Sequence, residues 1–181
     1  MDTWIALFRG INVGGNNLLP MKALAVLVTD LGGRDVTTYI QSGNVVFRGT
    51  GDAAAWSKRI GAAVEKAHGF RPAVLMLRTA DLDAAIKANP FPMDNEDPKA
   101  LHLVFLAAAP AKLDRAGFDA LKVGREAYAL HGNVFYFFAP DGIGRSKLGA
   151  KMGKLLGQGT ARNWRTVLQL QEMAHAAETS A

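Results

Sequence analysis

The chain has 181 residues, is 49% hydrophobic and 20% charged, contains no cysteine and carries a formal net charge of +5, with a sequence pI near 9.6. This composition excludes a disordered chain, and the lack of cysteine excludes disulfides, thiolate metal sites and cysteine nucleophiles. Its longest apolar runs, Ala23–Val28 and Leu103–Ala109, fall far short of a membrane span.

The N-terminus runs from Met1-Asp2 straight into an apolar stretch, with no basic leader or small-residue cleavage site, so a cytoplasmic protein is expected. Trp4–Arg9 predicts a strand, followed by a Gly/Asn-rich loop over Arg9–Asn17. Pro20 suits a helix start, and a helix is expected from Met21 to Leu31, stopped at Gly32-Gly33. Val36–Gln41 and Asn44–Phe47 read as a hairpin turning at Ser42-Gly43. Asp52 is expected to cap a helix to Ala67, Ala73–Arg78 to form a strand, and Thr79 to cap a helix through Ala88. The order β-α-β-β-α-β is that of a ferredoxin-like unit.

Residues 89–98 are proline-rich and acidic, and form the expected linker between a first half, 1–88, and a second, 99–181. In the second half Leu101–Ala107 predicts a strand, Ala111–Leu121 a helix, and Ala127–Leu130 with Val134–Phe138 a hairpin. Two helices are expected to finish the chain, giving β-α-β-β-α-α, the first order without its last strand. Gly43–Phe47 (GNVVF) and Gly132–Tyr136 (GNVFY) echo each other, in keeping with duplication. The expected class is α+β: two ferredoxin-like halves with antiparallel sheets and helices packed on them.

Those last two helices are unusually one-signed. Between Asp141 and Glu172 there is no carboxylate, while Arg145, Lys147, Lys151, Lys154, Arg162 and Arg165 supply six cations. Lys147, Lys151 and Lys154 recur at i, i+4, i+7 on one helix face, and Leu148, Met152 and Leu155 form the adjacent apolar stripe. Thr160 is expected to cap the second helix, whose buried face would be Trp164, Val167 and Leu168. Arg162 and Arg165 would then sit in its first turns, beside Asn163, where the helix dipole disfavours cations unless an anion binds.

Three segments carry a family resemblance: FRGINVGG (Phe8–Gly15), TYIQSGNVVF (Thr38–Phe47), and GRSKL (Gly144–Leu148) followed by TARNWRTV (Thr160–Val167). Together they resemble the bacterial family known as domain of unknown function 1697, over about residues 3 to 172. The resemblance implies an α+β protein of ferredoxin-like halves and brings no catalytic residue with it.

Candidate ligand contacts follow from the residues themselves. Arg9, Asn12, Gly14 and Gly15 could gather backbone N–H groups and a guanidinium around an anion, or form only a turn. Gln41 and Asn44 could present amides at the rim of the same surface, or serve the hairpin. Arg145, Ser146, Lys147, Lys151, Thr160, Arg162, Asn163 and Arg165 complete the set, and the Arg9 loop is expected within one ligand's reach of Thr160–Arg165. Gly149, Gly153 and Gly157 suggest close helix packing or an exposed backbone strip. Aromatics on both faces of the strands argue against an open base-stacking sheet.

His68, His102, His131 and His175 lie in no metal spacing, no GxSxG elbow occurs, and no metal or cofactor is expected. The reading reached from sequence is a binding protein for a phosphate-bearing ligand, nucleotide or nucleic acid. An enzyme acting on a phosphorylated small molecule and a protein-interaction module are the alternatives.

Overall fold

Two apolar strands, each flanked by partners on both sides, organise the chain. The structure, a computed structural model, describes residues 1–179. It divides into two compact units, Met1–Asp83 with the residues from Gln169 onward, and Ala84–Leu168. The boundaries therefore fall inside helices, and do not coincide with halves 1–88 and 99–181. The Pro-rich segment 89–98 is not a free linker: it belongs to the second unit, where Phe91 stacks on Phe138 at 5.5 Å and Glu96 pairs with Arg125 at 3.1 Å.

The first unit contains β1 (Asp2–Arg9), α1 (Met21–Asp30), β2 (Arg34–Tyr39), β3 (Asn44–Gly49), α2 (Ala53–His68), β4 (Ala73–Arg78) and the start of α3 (Thr79–Lys87). Its sheet has the order β2-β3-β1-β4, and every pairing is antiparallel. Trp4, Ala6 and Phe8 alternate onto one face and meet Leu24 and Val28 of α1 and Trp56, Ile60 and Val64 of α2. Ile5 and Leu7, on the other face, are equally buried. Asp52 caps α2 by accepting from the Ala55 N–H at 2.7 Å, and Gly69 closes it in the left-handed conformation.

The second unit repeats the scheme with β5 (Leu101–Leu106), α4 (Arg115–Asp119), β6 (Ala127–His131), β7 (Val134–Phe138), α5 (Lys147–Leu156) and β8 (Gly159–Asn163), in the sheet order β6-β7-β5-β8. Here too all pairings are antiparallel. Val104, Leu106, Phe135 and Phe137 pack with Leu148 and Met152 of α5 and Phe118 of α4. On the opposite face Tyr136 is buried and its hydroxyl donates to the Ala85 carbonyl at 2.7 Å, while burial pushes its phenol up to about 12. The helix α6 (Trp164–Thr179) follows.

The element order is thus βαββαβ twice, each with the strand order of a ferredoxin-like unit. The sequence echo falls at equivalent places: Gly43 and Gly132 both have positive φ, at the turn into the strand that pairs with the central one. Gly43 is required for space as well, since a Cβ there would lie 2.5 Å from Ile11 Cδ1. The expected α-α ending is corrected, because Gly159–Asn163 is the missing eighth strand. The helix expected over Ala111–Leu121 shrinks to five residues, capped by Asp114 through the Gly117 N–H. Thr79 is the first residue of α3 rather than its cap, and Asp81 accepts the Arg78 N–H at that end.

One core group makes stability depend on pH. His102, on β5, has a buried Nδ1 without a hydrogen-bond partner among the described residues, and burial holds its imidazole below the ordinary 6.5, partly offset by a backbone hydrogen bond involving Ala100. The folded state prefers the neutral ring, so the unfolded chain takes up a proton first as pH falls through its own value. Urea denaturation should show stability constant above that value, near 6.5, and decreasing below it until the lowered folded-state value is passed. His102→Gln should remove this part of the acid sensitivity; an unchanged pH slope in the variant would contradict the assignment.

Candidate functional site

The basic segment begins at a tight corner. Gly142, with φ of 96°, leads into a 3₁₀ turn at Ile143–Arg145, and Ser146 then caps α5, its Oγ accepting the Gly149 N–H at 2.8 Å. Ser146 is buried and occupied by this cap, which gives it a structural role. Leu148 and Met152 fix the apolar face of α5 in the core, so Lys147, Lys151 and Lys154 are exposed on the face turned away, with Arg145 exposed just before them. Among the described residues none of these four cations forms an ion pair.

The glycine repeat on this helix divides by position. At Gly149 a Cβ would lie 2.9 Å from Ile143 Cγ1, which is close packing, whereas Gly153 faces open space and Gly157, with φ of 76°, ends the helix.

The second half of the expected site is corrected. Thr160 and Arg162 lie on β8, not at a helix start, and pair with Phe105 and Leu103. Cross-strand partners share a face, so Thr160 and Arg162 are on the sheet face opposite α5. Both are buried; Arg162 is 8% exposed, its Nη1 donates to the Ala161 carbonyl at 2.8 Å, and burial lowers its guanidinium to about 10. It remains charged at neutral pH and serves the interior of the fold. The cap of α6 is Asn163, whose Oδ1 accepts the Thr166 N–H at 2.9 Å. Arg165 alone of the pair is exposed in the first turn, and Leu168, expected in the buried face, is 39% exposed.

The Arg9 loop is built as a self-closed turn. Gly14 and Gly15 have φ of 58° and 78°, and the Asn16 N–H donates to the Val13 carbonyl at 3.0 Å, the pattern of a type I′ turn. Asn12 is consumed internally: Nδ2 donates to the carbonyls of Leu19 and Gln41, and Oδ1 accepts the Leu19 N–H. Asn17 donates to the Gly10 carbonyl. Asn44 is fully buried and donates to the Tyr39 carbonyl and Ser42 Oγ, so it braces the hairpin instead of facing a ligand. Arg9 and Gln41 are exposed.

Other candidates resolve into structure. Asp97 Oδ1 accepts the Lys99 N–H and Glu96 holds Arg125, which accounts for two acids of the 89–98 segment. Among the described residues no group of three or more His, Cys, Asp or Glu side chains could hold a metal ion. No helix among them is long and apolar enough to cross a membrane.

What stands is an α+β protein of two ferredoxin-like units whose second unit presents an exposed row of cations, unpaired among the described residues. The chain belongs to the family described as "Protein of unknown function (DUF1697)", which it matches over residues 1–136. No curated protein matches it. Among solved structures it is similar to the conserved bacterial protein SP0830 from Streptococcus pneumoniae, with a TM-score of 0.72 and 24% sequence identity, over 96% of this chain and 98% of that one. At that identity the likeness establishes the fold.

Arg162 and Arg165 should separate on mutation. Arg162→Ala removes a buried stem and unpairs a carbonyl, and should cost roughly 2–4 kcal/mol. Arg165→Ala should leave urea stability nearly unchanged. Equal, small effects would contradict the assignment of Arg162 to the interior.

Proposed function

We propose that the protein binds the phosphate backbone of nucleic acid through α5 and the turn before it. The observation that carries this reading is the exposed row Arg145, Lys147, Lys151 and Lys154, with no carboxylate paired to any of the four among the described residues. Successive lysines stand about 6 and 4.5 Å apart along the helix axis. A row on a convex helix face suits a polyanion better than a single small anion, which needs donors converging on one point.

The contrast with α2 supports the same reading. That helix carries Lys58, Arg59 and Lys66, but Glu65 lies beside Lys66, and Arg59 stacks on the Trp56 ring at 4.7 Å and donates to the Leu31 carbonyl, so the exposed cations left on it are two and form no row. The cations of α5 have no such internal use, and the net charge of +5 adds long-range attraction. A cytoplasmic location, where such partners are abundant, belongs to the proposal.

The test is fluorescence anisotropy with a labelled single-stranded oligonucleotide over a range of KCl concentrations. Four contacts give an expected slope of log affinity against log salt of about −3. The variant with Lys147, Lys151 and Lys154 all changed to Ala should bind far more weakly, with a slope of about −1. Binding independent of salt, or a triple variant that binds like the parent, would overturn the proposal.

A further inference from the structure

An open sheet leaves backbone groups unpaired along its edge strands, and folded proteins guard them with charge, proline, bulges or side-chain bonds. The edges here are β2 and β4 in the first unit and β6 and β8 in the second. On β2, Arg34 and Asp35 stand at a shift of register. On β4 the Val74 carbonyl accepts from Ser57 Oγ at 2.7 Å, and the Arg78 N–H donates to Asp81. β8 carries the buried charge of Arg162. β6 has none of these devices. Its sequence, Ala-Tyr-Ala-Leu-His, holds no Lys, Arg, Asp, Glu or Pro, and its pairing with β7 runs without a shift.

The hairpin fixes which groups of β6 face outward. His131 and Val134 close the two-residue turn, so they exchange backbone bonds, as do Ala129 with Tyr136 and Ala127 with Phe138. The alternate residues, Tyr128 and Leu130, therefore turn their N–H and C=O groups away from β7, and among the described residues these groups have no hydrogen-bond partner. Their side chains are half-buried against the core that contains Phe135 and Phe137. Such an edge can accept one more antiparallel strand, and this one is complementary to itself. With Ala129 set opposite Ala129 of a second copy, Tyr128 meets Leu130 and both exchange their outward backbone bonds. An aromatic and an aliphatic side chain then face each other beside the core. Ala127 meets His131, Glu126 meets Gly132 and Arg125 meets Asn133, so no like charges are opposed.

We infer that β6 pairs antiparallel with β6 of a second copy of this chain, about a two-fold axis at Ala129. The two four-stranded sheets of the second units become one, and each copy closes the open edge of the other. The pairing stands apart from the row on α5, and its test uses no nucleic acid, so the two readings fail separately.

The test is sedimentation velocity of the full chain at about 100 μM, followed by cross-linking. The parent should sediment as a dimer, with about twice the 19.3 kDa chain mass. Because the chain contains no cysteine, a single introduced thiol reports the register. The two Ala129 residues would form a close, non-hydrogen-bonded pair, within the Cα separation a disulfide needs. Ala129→Cys should therefore cross-link to a covalent dimer on mild oxidation. His131→Cys should not, since the two positions would lie about 14 Å apart. Ala129→Lys sets like charges opposite each other and should weaken association about tenfold or more, with an unchanged far-ultraviolet circular dichroism spectrum. A monomeric parent, a dimer in which Ala129→Cys does not cross-link, or equal cross-linking through His131→Cys would overturn the inference.

Discussion

Trp4, Ala6 and Phe8 on one face of β1, and Ile5 and Leu7 on the other, are all buried, as are Val104 and Leu106 against Leu103 and Phe105 on β5. Each fully buried large apolar side chain contributes about 1.5–3 kcal/mol. That double-sided burial also removes both sheets from chemistry. Exposed sheet aromatics serve as base-stacking platforms in some ferredoxin-like folds, but Phe8, Phe135 and Phe137 here are spent on cores. Function must then reside on the outer faces of helices, in loops, and at strand ends.

This constraint explains why α5 can be one-signed. Leu148 and Met152 anchor it in the core, so its outer face makes no demand on stability and can collect charge at the modest cost of exposed like-charge repulsion. The edge strand beside it obeys a different rule. On β8 the inward positions are Thr160 and Arg162, and the apolar Ala161 is exposed. A buried guanidinium lowered to about 10 by desolvation is tolerable only where acceptors surround it, as the Ala161 carbonyl does in part.

The inversion on β8 also explains what the sequence concealed. Apolar runs such as Trp4–Phe8 and Val134–Phe138 announce themselves as strands, and the two hairpins follow from glycine turns between them. Gly159–Asn163 has no inward apolar residue, so hydrophobic alternation gives it no signal. The clue was topological: without an eighth strand, β5 would lack the second neighbour that β1 has. Asn12 and Asn44 were legible as turn residues, yet only the folded unit shows that the Asn12 amide is engaged at both ends and that the Asn44 Nδ2 donates inward to the hairpin. The lysine row was legible from its i, i+4, i+7 spacing.

On the proposed function the polyanion meets the α5 face and not the Arg9 loop. Hydrogen–deuterium exchange with and without a single-stranded oligonucleotide reports this directly, since backbone amides under a bound polymer exchange more slowly. Protection confined to the 3₁₀ turn and α5, over residues 143–156, with the peptide covering residues 9–19 unchanged, is the predicted result. Protection centred on residues 9–19, with α5 exchanging as in the free protein, would contradict it.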